Sequence, residues 1–326
     1  MPKNENQKLK LFRLLEILML RTDEEHGIDM SGIISALSEY GISAERKSIY
    51  NDLECLSNLG FEVIKMEGTK PTCYTLAGRY FETAELKMLV DATEAAKFIP
   101  QKKCREIVKK LELFAGPKGA RDLARRVFVD DRAESKSVMY AVDAIHSAIN
   151  SSRAISFKYF KYNVEKKKEY HRTGDFYSVS PLSLVWNDEN YYLIGYDEDE
   201  GLIKNFRVDK MEDVRIAKEA RSHAALSLKV DPGSYTRKVF GMYGGKEELV
   251  TLECKNYLAG VIIDRFGKNV LFESKGDTFL VRLRITVSPN FFAWVAGFGK
   301  DAKILFPSDI RDAFVNHVTE LLENYK

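Results

Sequence analysis

The sequence predicts an α+β protein of several domains, because the spacing of its apolar residues changes along the chain. Helical spacing prevails up to about residue 150, strand-like alternation follows between about 153 and 216, and both patterns mix from about 248 onward. The length of 326 residues suits two or three domains. A hydrophobic share of 45%, with 16 Tyr and 19 Phe, excludes wholesale disorder, because disordered chains lack such residues.

These patterns divide the chain into four segments. Residues 1–80 should form three helices and a hairpin, 81–150 a helical linker, 151–220 a small β-barrel, and 245–326 a domain of strands and helices. Turn residues such as Asp231-Pro232-Gly233 predict a loose connection over 221–243. The linker, with helices expected over 85–98, 101–114 and 137–150, has the pattern of a connector and equally that of an ordinary helical subdomain.

In the first segment, amphipathic spacing predicts a helix over Asn6–Arg21, a second helix capped by Asp29 and a third capped by Ser43. At 100° per residue, Leu53 and Leu56 share a buried stripe with Ile49 on the third helix. The opposite face carries polar side chains suited to phosphates and base edges. Its members are Arg46, Lys47, Ser48, Tyr50 and Asn51.

Gly60 should end the third helix, and residues 61–65 and 73–76 should pair as a hairpin. Helix, helix, turn, helix and wing is the arrangement of a winged helix-turn-helix, whose third helix enters the major groove of double-stranded DNA. A three-helix packing module or a protein-docking domain has the same pattern. Residues 1–79 hold 10 Lys+Arg against 12 Asp+Glu, so charge does not decide between them.

The third segment alternates strictly over 154–162, with Ile155, Phe157 and Tyr159 on one face. Five short strands between 154 and 210 match the size of a small barrel. The stretch from Arg153 to Arg172 contains seven Lys+Arg and only two Glu, and aromatic residues are interleaved with them. Cations hold phosphates and rings stack on bases, so this pattern favours a nucleic acid or another anionic ligand.

Several motifs in this order resemble the WYL domain of bacterial transcription factors. They are Val179-Ser180-Pro181-Leu182, Tyr191-Tyr192-Leu193 and Phe206-Arg207-Val208-Asp209-Lys210, with Tyr191 in place of the usual tryptophan. The C-terminal pieces 261–267, 294–299 and 304–307 resemble the extension that follows such domains. The resemblance implies a winged helix, a Sm-like barrel, a ferredoxin-like α/β C-terminal domain and, often, a homodimer.

By family position, the resemblance implies that five residues contact the ligand, which in several members is a nucleic acid or a nucleotide-like molecule. They are Tyr159, Arg172, Ser180, Tyr191 and Arg207. Other interpretations stay open, because Tyr191 suits a core position and Arg207 suits a pair with an internal carboxylate. An arginine fork on a strand is also suited to a phosphate or carboxylate ligand.

No catalytic motif, metal-ligand spacing or cofactor fingerprint is found, so we expect a protein that is not an enzyme. No apolar stretch reaches about 18 residues, and four widely spaced cysteines fit a reducing cytoplasm. The leading hypothesis is a ligand-responsive dimeric transcription regulator that binds a DNA operator and an anionic effector. The alternative is a nucleic-acid-binding accessory module that regulates a partner protein.

Overall fold

The structure, a computed structural model, describes residues 6–123, 137–228 and 230–326 and divides into two units, 1–136 and 137–326. Each unit combines helices with an antiparallel sheet, which confirms the α+β class.

The first unit opens with helices and a small sheet. Its elements are α1 (Asn6–Arg21), β1 (Ile28–Asp29), α2 (Met30–Glu39), α3 (Arg46–Asn58), β2 (Val63–Lys65) and β3 (Cys73–Leu76), followed by α4 (Thr83–Ala95), α5 (Gln101–Glu112) and α6 (Gly116–Leu123). The strands β2 and β3 form the expected hairpin, and β1, which was not expected, pairs with β3 on its other side. The sheet therefore has three antiparallel strands in the order β1-β3-β2.

The helix caps were predicted with mixed success. Asp29 caps α2 as expected, because its carboxylate accepts a hydrogen bond from the Gly32 N–H at 2.7 Å. The prediction that Ser43 caps the third helix is wrong, since α3 begins at Arg46 and its N-cap is Glu45, without a side-chain cap. Glu45 has extended backbone angles, and Ala44 before it packs partly buried against the core. Gly60, at φ +93°, follows the last helical turn as predicted.

The residues predicted to form one helical linker divide between the two units. The helices α4, α5 and α6 pack on one another, and α6 also packs on α1. The next helix, α7 (Ser137–Asn150), packs on strands of the second unit. Its apolar face supplies Val138, Ala141 and Ile145 to that packing, each at most 6% exposed.

The second unit begins with a curled antiparallel sheet covered by α7. The strands are β4 (Arg153–Tyr162), β5 (Lys168–Tyr170), β6 (Tyr177–Asn187), β7 (Asn190–Asp197), β8 (Leu202–Arg207) and β9 (Met211–Ala220), in the order β5-β4-β6-β7-β8 with β9 paired to β4. Two strands predicted over 177–182 and 184–186 are one strand, whose register shifts between Pro181 and Ser183. The strand β9 was not predicted.

Two short helices, α8 (His223–Ser227) and α9 (Pro232–Lys238), occupy the segment predicted as a loose connection. The C-terminal elements are β10 (Glu247–Lys255), α10 (Ala259–Phe266), β11 (Phe272–Lys275), β12 (Thr278–Thr286), α11 (Pro289–Ala296), β13 (Ala302–Phe306) and α12 (Ser308–Glu323). The sheet order β11-β12-β10-β13 within a βαββαβ succession is the ferredoxin-like arrangement. Phe279, Val281, Leu283 and Ile285 alternate into its core.

No helix within the described ranges is both long enough and apolar enough to cross a bilayer.

Candidate nucleic-acid interface

The helix α3 buries one face and exposes the other. Ile49, Leu53 and Leu56 are 0%, 6% and 1% exposed and pack in the core of the first unit. Four of the five side chains predicted for the outer face are exposed, namely Arg46, Lys47, Tyr50 and Asn51. The helix therefore presents two cations, a phenol and an amide, groups that hydrogen-bond phosphates and base edges.

The fifth predicted side chain, Ser48, does not face outward. It is half-buried, and its hydroxyl accepts a hydrogen bond from the ammonium group of Lys10 in α1. Lys10 is only 6% exposed and also forms an ion pair of 2.8 Å with Asp52 of α3. Ser48 and Asp52 thus fix the rotation of α3 against α1, which decides which residues of α3 face outward.

A cleft of about 360 Å³ lies beside α3 and the hairpin. Arg46 and Tyr50 of α3, Lys65 of β2 and Tyr74 of β3 are among the residues that line it. The rings of Tyr50 and Tyr74 meet edge-on, with centroids 6.4 Å apart. The pKa of Tyr74 is raised, mainly because the side chain is partly buried and also because it shares a hydrogen bond with Tyr50. The hairpin thus adds a third cation, Lys65, beside the outer face of α3.

Several acidic residues of the first unit are engaged away from that face. Burial tends to raise the pKa of Asp23, but hydrogen bonds from the Lys118 N–H, the His26 side chain and the backbone of 25–26 outweigh it and lower the pKa to about 2. Glu39 pairs with Arg21 at 2.5 Å. Glu54 stays exposed in the second half of α3. Two acids nevertheless lie near the first turn of α3, because Glu45 is its exposed N-cap residue and Asp29 lines the same cleft as Arg46.

In the second unit, four side chains form a continuous row that we call the arginine strip, consisting of Arg172, Tyr177, Tyr159 and Arg207. The Arg172 guanidinium lies 4.0 Å from the ring centroid of Tyr177, and the rings of Tyr177 and Tyr159 are 6.2 Å apart. The Tyr159 hydroxyl accepts a hydrogen bond of 3.1 Å from the Arg207 N–H, and burial raises the pKa of that hydroxyl. Two aromatic rings thus lead from the Arg172 guanidinium to the backbone of Arg207.

At one end of the strip, Arg207 is held by a carboxylate and an amide. Its guanidinium donates to both oxygens of Asp209, at 3.0 and 2.9 Å, and to Asn190 at 2.9 Å. This pairing with Asp209 raises the pKa of Arg207. Lys210 lies 3.4 Å from the same carboxylate, so two cations face one anion. Because the side chain of Arg207 is still 39% exposed, an added anion has access to it.

At the other end, Arg172 is surrounded by acids. It pairs with Asp197 at 2.8 Å, Glu200 at 3.1 Å and also Asp199, while Lys204 shares Asp197 and Glu200. Burial lowers the pKa of Arg172, but the hydrogen bonds to Glu200 and Asp199 outweigh it and raise the pKa. Asp197 is fully buried. At this end of the strip, the two cations Arg172 and Lys204 are thus shared among three carboxylates. This end of the strip attracts a further anion less than the Arg207 end does.

The remaining two predicted contacts lie outside the strip. Ser180 is 0% exposed, donates to Glu198 and accepts from the Ser222 N–H at 3.0 Å, so its hydroxyl is engaged within the fold, and its contact with a ligand stays a prediction. Tyr191 is half-buried with its ring edge-on to Trp186 at 4.7 Å. The following residue, Tyr192, is the one that stands opposite Arg207 in the sheet.

A second surface, which we call the lysine-aromatic surface, is formed mainly by the stretch 153–172, in which cations and aromatic residues are interleaved in the sequence. It consists of Lys158, Lys168, Lys210, Tyr162, Tyr170 and Phe176. Lys210 lies 4.4 Å from the Tyr162 ring, and Lys158 lies 5.3 Å from that of Phe176. The three rings are 52%, 39% and 37% exposed, as required for stacking on bases. Lys158, Phe160 and Tyr162 are two residues apart on β4 and therefore lie on the same strand face. This spacing is the sequence pattern that indicates the surface.

The second unit thus consists of a helix-covered curled sheet followed by a ferredoxin-like domain. Residues 140–216, from α7 into β9, match the family model of the WYL domain, and residues 246–322, from β10 to α12, match that of the WCX domain. Residues 140–216 are therefore a WYL domain and residues 246–322 a WCX domain. The resemblance inferred from the strand motifs and from the C-terminal motifs is confirmed.

Two solved structures are similar over nearly the whole chain. Proteasome accessory factor B/C (PafBC) of Arthrobacter aurescens is 18% identical with a TM-score of 0.30, over 98% of this chain and 49% of that one. A CRISPR Cas-related protein is 10% identical with a TM-score of 0.36, over 100% of this chain and 74% of that one. The chain thus spans about half the length of the PafBC chain. No curated protein matches the sequence.

Proposed function

We propose that the chain is a ligand-responsive, DNA-binding transcription regulator that acts as a homodimer rather than as an enzyme. In this proposal, the first unit is a winged helix-turn-helix, and the curled sheet is a Sm-like barrel that binds an anionic effector. The outer face of α3 carries the proposal above all, because Lys47 and Asn51 are exposed directly opposite a fully packed stripe, with Tyr50 beside them and Arg46 at the edge of the face.

The chemistry of that face suits the major groove, which admits one α-helix. Arg46 and Lys47 suit phosphates or the acceptors of guanine, and Asn51 suits the donor and acceptor pair of adenine. Lys65 of the hairpin suits the flanking phosphate backbone. A homodimer presents two α3 helices to half-sites about one helical turn, or a multiple of it, apart.

The effector, in this proposal, is single-stranded nucleic acid or a nucleotide-like anion bound on the WYL domain. The Arg207 end of the arginine strip suits its phosphate, because two cations there face one carboxylate. The lysine-aromatic surface suits its bases, because exposed rings alternate with ammonium groups. An effector regulates DNA binding only to the extent that it binds two arrangements of the protein with different affinity.

The full-length chain should be tested by selecting bound sequences from a random duplex library and by footprinting the genome of its source. We expect a short repeated half-site and discrete promoter sites, and light scattering should give twice the monomer mass of 37.3 kDa. Binding without any enriched sequence would contradict the proposal.

A second candidate is a nucleic-acid-binding accessory module that regulates a partner protein. The charge balance of residues 1–79, with 10 Lys+Arg against 12 Asp+Glu, is as compatible with it as with operator binding. The exposed rings and ammonium groups of the lysine-aromatic surface favour it, because they supply a nucleic-acid contact that does not depend on α3. In that case the lysine-aromatic surface should still bind single strands, whereas the footprint should show no promoter sites.

A further inference from the structure

The C-terminal domain contains a basic groove that neither the proposed operator contact nor the arginine strip uses. Its volume is about 690 Å³, within the usual range of small-molecule sites. Two elements contribute cations to it, and a loop contributes apolar side chains. The lining residues used below are Arg237 and Lys238 of α9, Arg282 and Arg284 of β12, and Leu271 and Phe272 beside them.

The groove exists because β11 is shorter than β12. The two strands pair only from Phe272 opposite Val281 to Lys275 opposite Thr278. Beyond Val281, β12 has β10 on one side and the groove on the other. Arg282 and Arg284 are two residues apart, so they lie on the same strand face with their Cα atoms about 7 Å from each other. That spacing suits two neighbouring phosphate groups.

The charges in the groove are incompletely balanced. Glu247 pairs with Lys238 at 3.1 Å and with Arg284 at 3.5 Å, so one carboxylate serves two cations. Glu273, the carboxylate that lines the groove, already pairs with Lys275 at 2.6 Å. Neither Arg237 nor Arg282 has an ion pair with any residue in 6–123, 137–228 and 230–326. Two guanidinium groups thus have capacity for an anion.

The apolar part of the groove is shaped for a ring. Phe272 is 37% exposed, and its ring rests on that of the buried Phe279 with centroids 4.5 Å apart, which fixes its orientation. Leu271 is 88% exposed next to it. A Cβ placed on Gly267 would lie 3.2 Å from the Arg237 guanidinium, so this glycine allows Arg237 to lie close to the backbone.

We propose that this groove binds a small organic phosphate that carries an aromatic ring, a ligand of the size and chemistry of a nucleoside polyphosphate. Arg282, Arg284 and Arg237 hold the phosphates by charge-assisted hydrogen bonds, and the ring stacks on Phe272. The site is separate from the arginine strip and goes beyond the proposed function.

Calorimetric titration of the full-length protein with ATP, and separately with inorganic triphosphate, tests the proposal. We expect both to bind, with ATP tighter because of its ring. The double substitution Arg237→Ala with Arg282→Ala should weaken both at least about tenfold. Phe272→Ala should remove the advantage of ATP over triphosphate. Arg311→Ala, an exposed arginine of α12, is the matched control and should change neither.

Two outcomes would overturn the proposal. The site is ruled out if the wild-type protein binds neither ATP nor triphosphate. The ligand belongs to the arginine strip instead if Arg207→Ala loses ATP binding while the groove variants bind ATP normally. Equal binding of ATP and triphosphate rules out the aromatic part. Thermal melts of each variant show whether it is folded, and Arg282→Gln replaces the double variant if that one unfolds.

Discussion

The outer face of α3 and the arginine strip of the WYL domain both carry arginine or lysine beside tyrosine. They differ in whether these cations are paired with carboxylates of their own unit. On α3, Arg46 and Lys47 are exposed to solvent. In the strip, Arg172 and Arg207 already hold carboxylates of their own unit. A partner therefore meets α3 without breaking an internal bond, whereas a ligand of the strip has to compete with Asp209 or Asp197. Mutations should consequently act on partner binding in the first region and on stability as well in the second.

The largest effect should follow from removing the outer face of α3 by the double substitution Lys47→Ala with Asn51→Ala. Each base or phosphate contact is worth about 1–3 kcal/mol, so affinity for the selected operator should fall by about 100-fold or more. Both side chains are exposed, and therefore the melting temperature and the dimer should be unchanged. Fluorescence anisotropy with labelled operator measures the effect. Lys87→Ala with Asp91→Ala on α4 is the control, and wild-type affinity in the α3 variant would exclude α3 as the reading helix.

The next effect should be a loss of stability in Arg172→Ala. This substitution leaves the fully buried Asp197 with Lys204 as its remaining cation, and breaking a buried pair costs roughly 3 kcal/mol. Urea unfolding followed by tryptophan fluorescence detects it, because Trp186 and Trp294 lie in the second unit. Lys161→Ala, which removes an exposed pair of 3.7 Å with Glu169, is the control and should change little. Unchanged stability in Arg172→Ala would mean that the arginine is available to a ligand.

The third prediction concerns pH and the first unit. The pKa of Asp23 is lowered to about 2, from 3.8 in the unfolded chain. Asp23 therefore adds roughly 2 kcal/mol to the free energy of unfolding above about pH 4, and this stabilisation is lost as the pH falls to about 2. Asp23→Asn should therefore be less stable than wild type at pH 7, and the difference should shrink towards pH 2. Helix content by circular dichroism measures it, with tryptophan fluorescence of the second unit as the unaffected control. A difference that is the same at every pH would contradict the assignment.

The smallest effect should be that of Arg207→Ala on the effector. Binding of a labelled single-stranded DNA should weaken about tenfold, and the effector should no longer alter operator binding, while basal operator binding persists. Asp209→Asn should act in the opposite direction, because it removes the competing carboxylate and keeps the shape. An unchanged response in Arg207→Ala would remove the arginine strip from the effector site.

The features predicted best are those set by the spacing of neighbouring residues. The burial of Ile49, Leu53 and Leu56 and the exposure of Lys47 and Asn51 follow from the helical period alone. The bounds of α7 were predicted for the same reason. The order of the strand motifs sufficed to indicate the WYL domain, although Tyr191 replaces the usual tryptophan.

The features predicted least well depend on residues far apart in the chain. The pair of Lys10 with Asp52 and that of Arg172 with Asp197 join positions whose proximity only the folded chain creates. The same holds for Ser180, whose burial comes from the packing of the sheet and not from its own type. Short or solvated strands are also difficult to predict, since β1 has two residues and half of the ten residues of β9 are charged.

Arg79 has a consequence for how the first unit moves. Its guanidinium donates to the carbonyl oxygens of Met19 and Phe114, at 3.1 and 3.3 Å, and to that of Thr22. A single side chain thereby joins the end of α1 to the end of α5, and Lys118 of α6 adds a bond from its N–H to Asp23. We therefore expect α3 and the helices α4–α6 to move together as one rigid body. If α3 binds an operator as proposed, a signal that displaces α4–α6 would reorient α3 without touching any of the residues proposed to contact DNA.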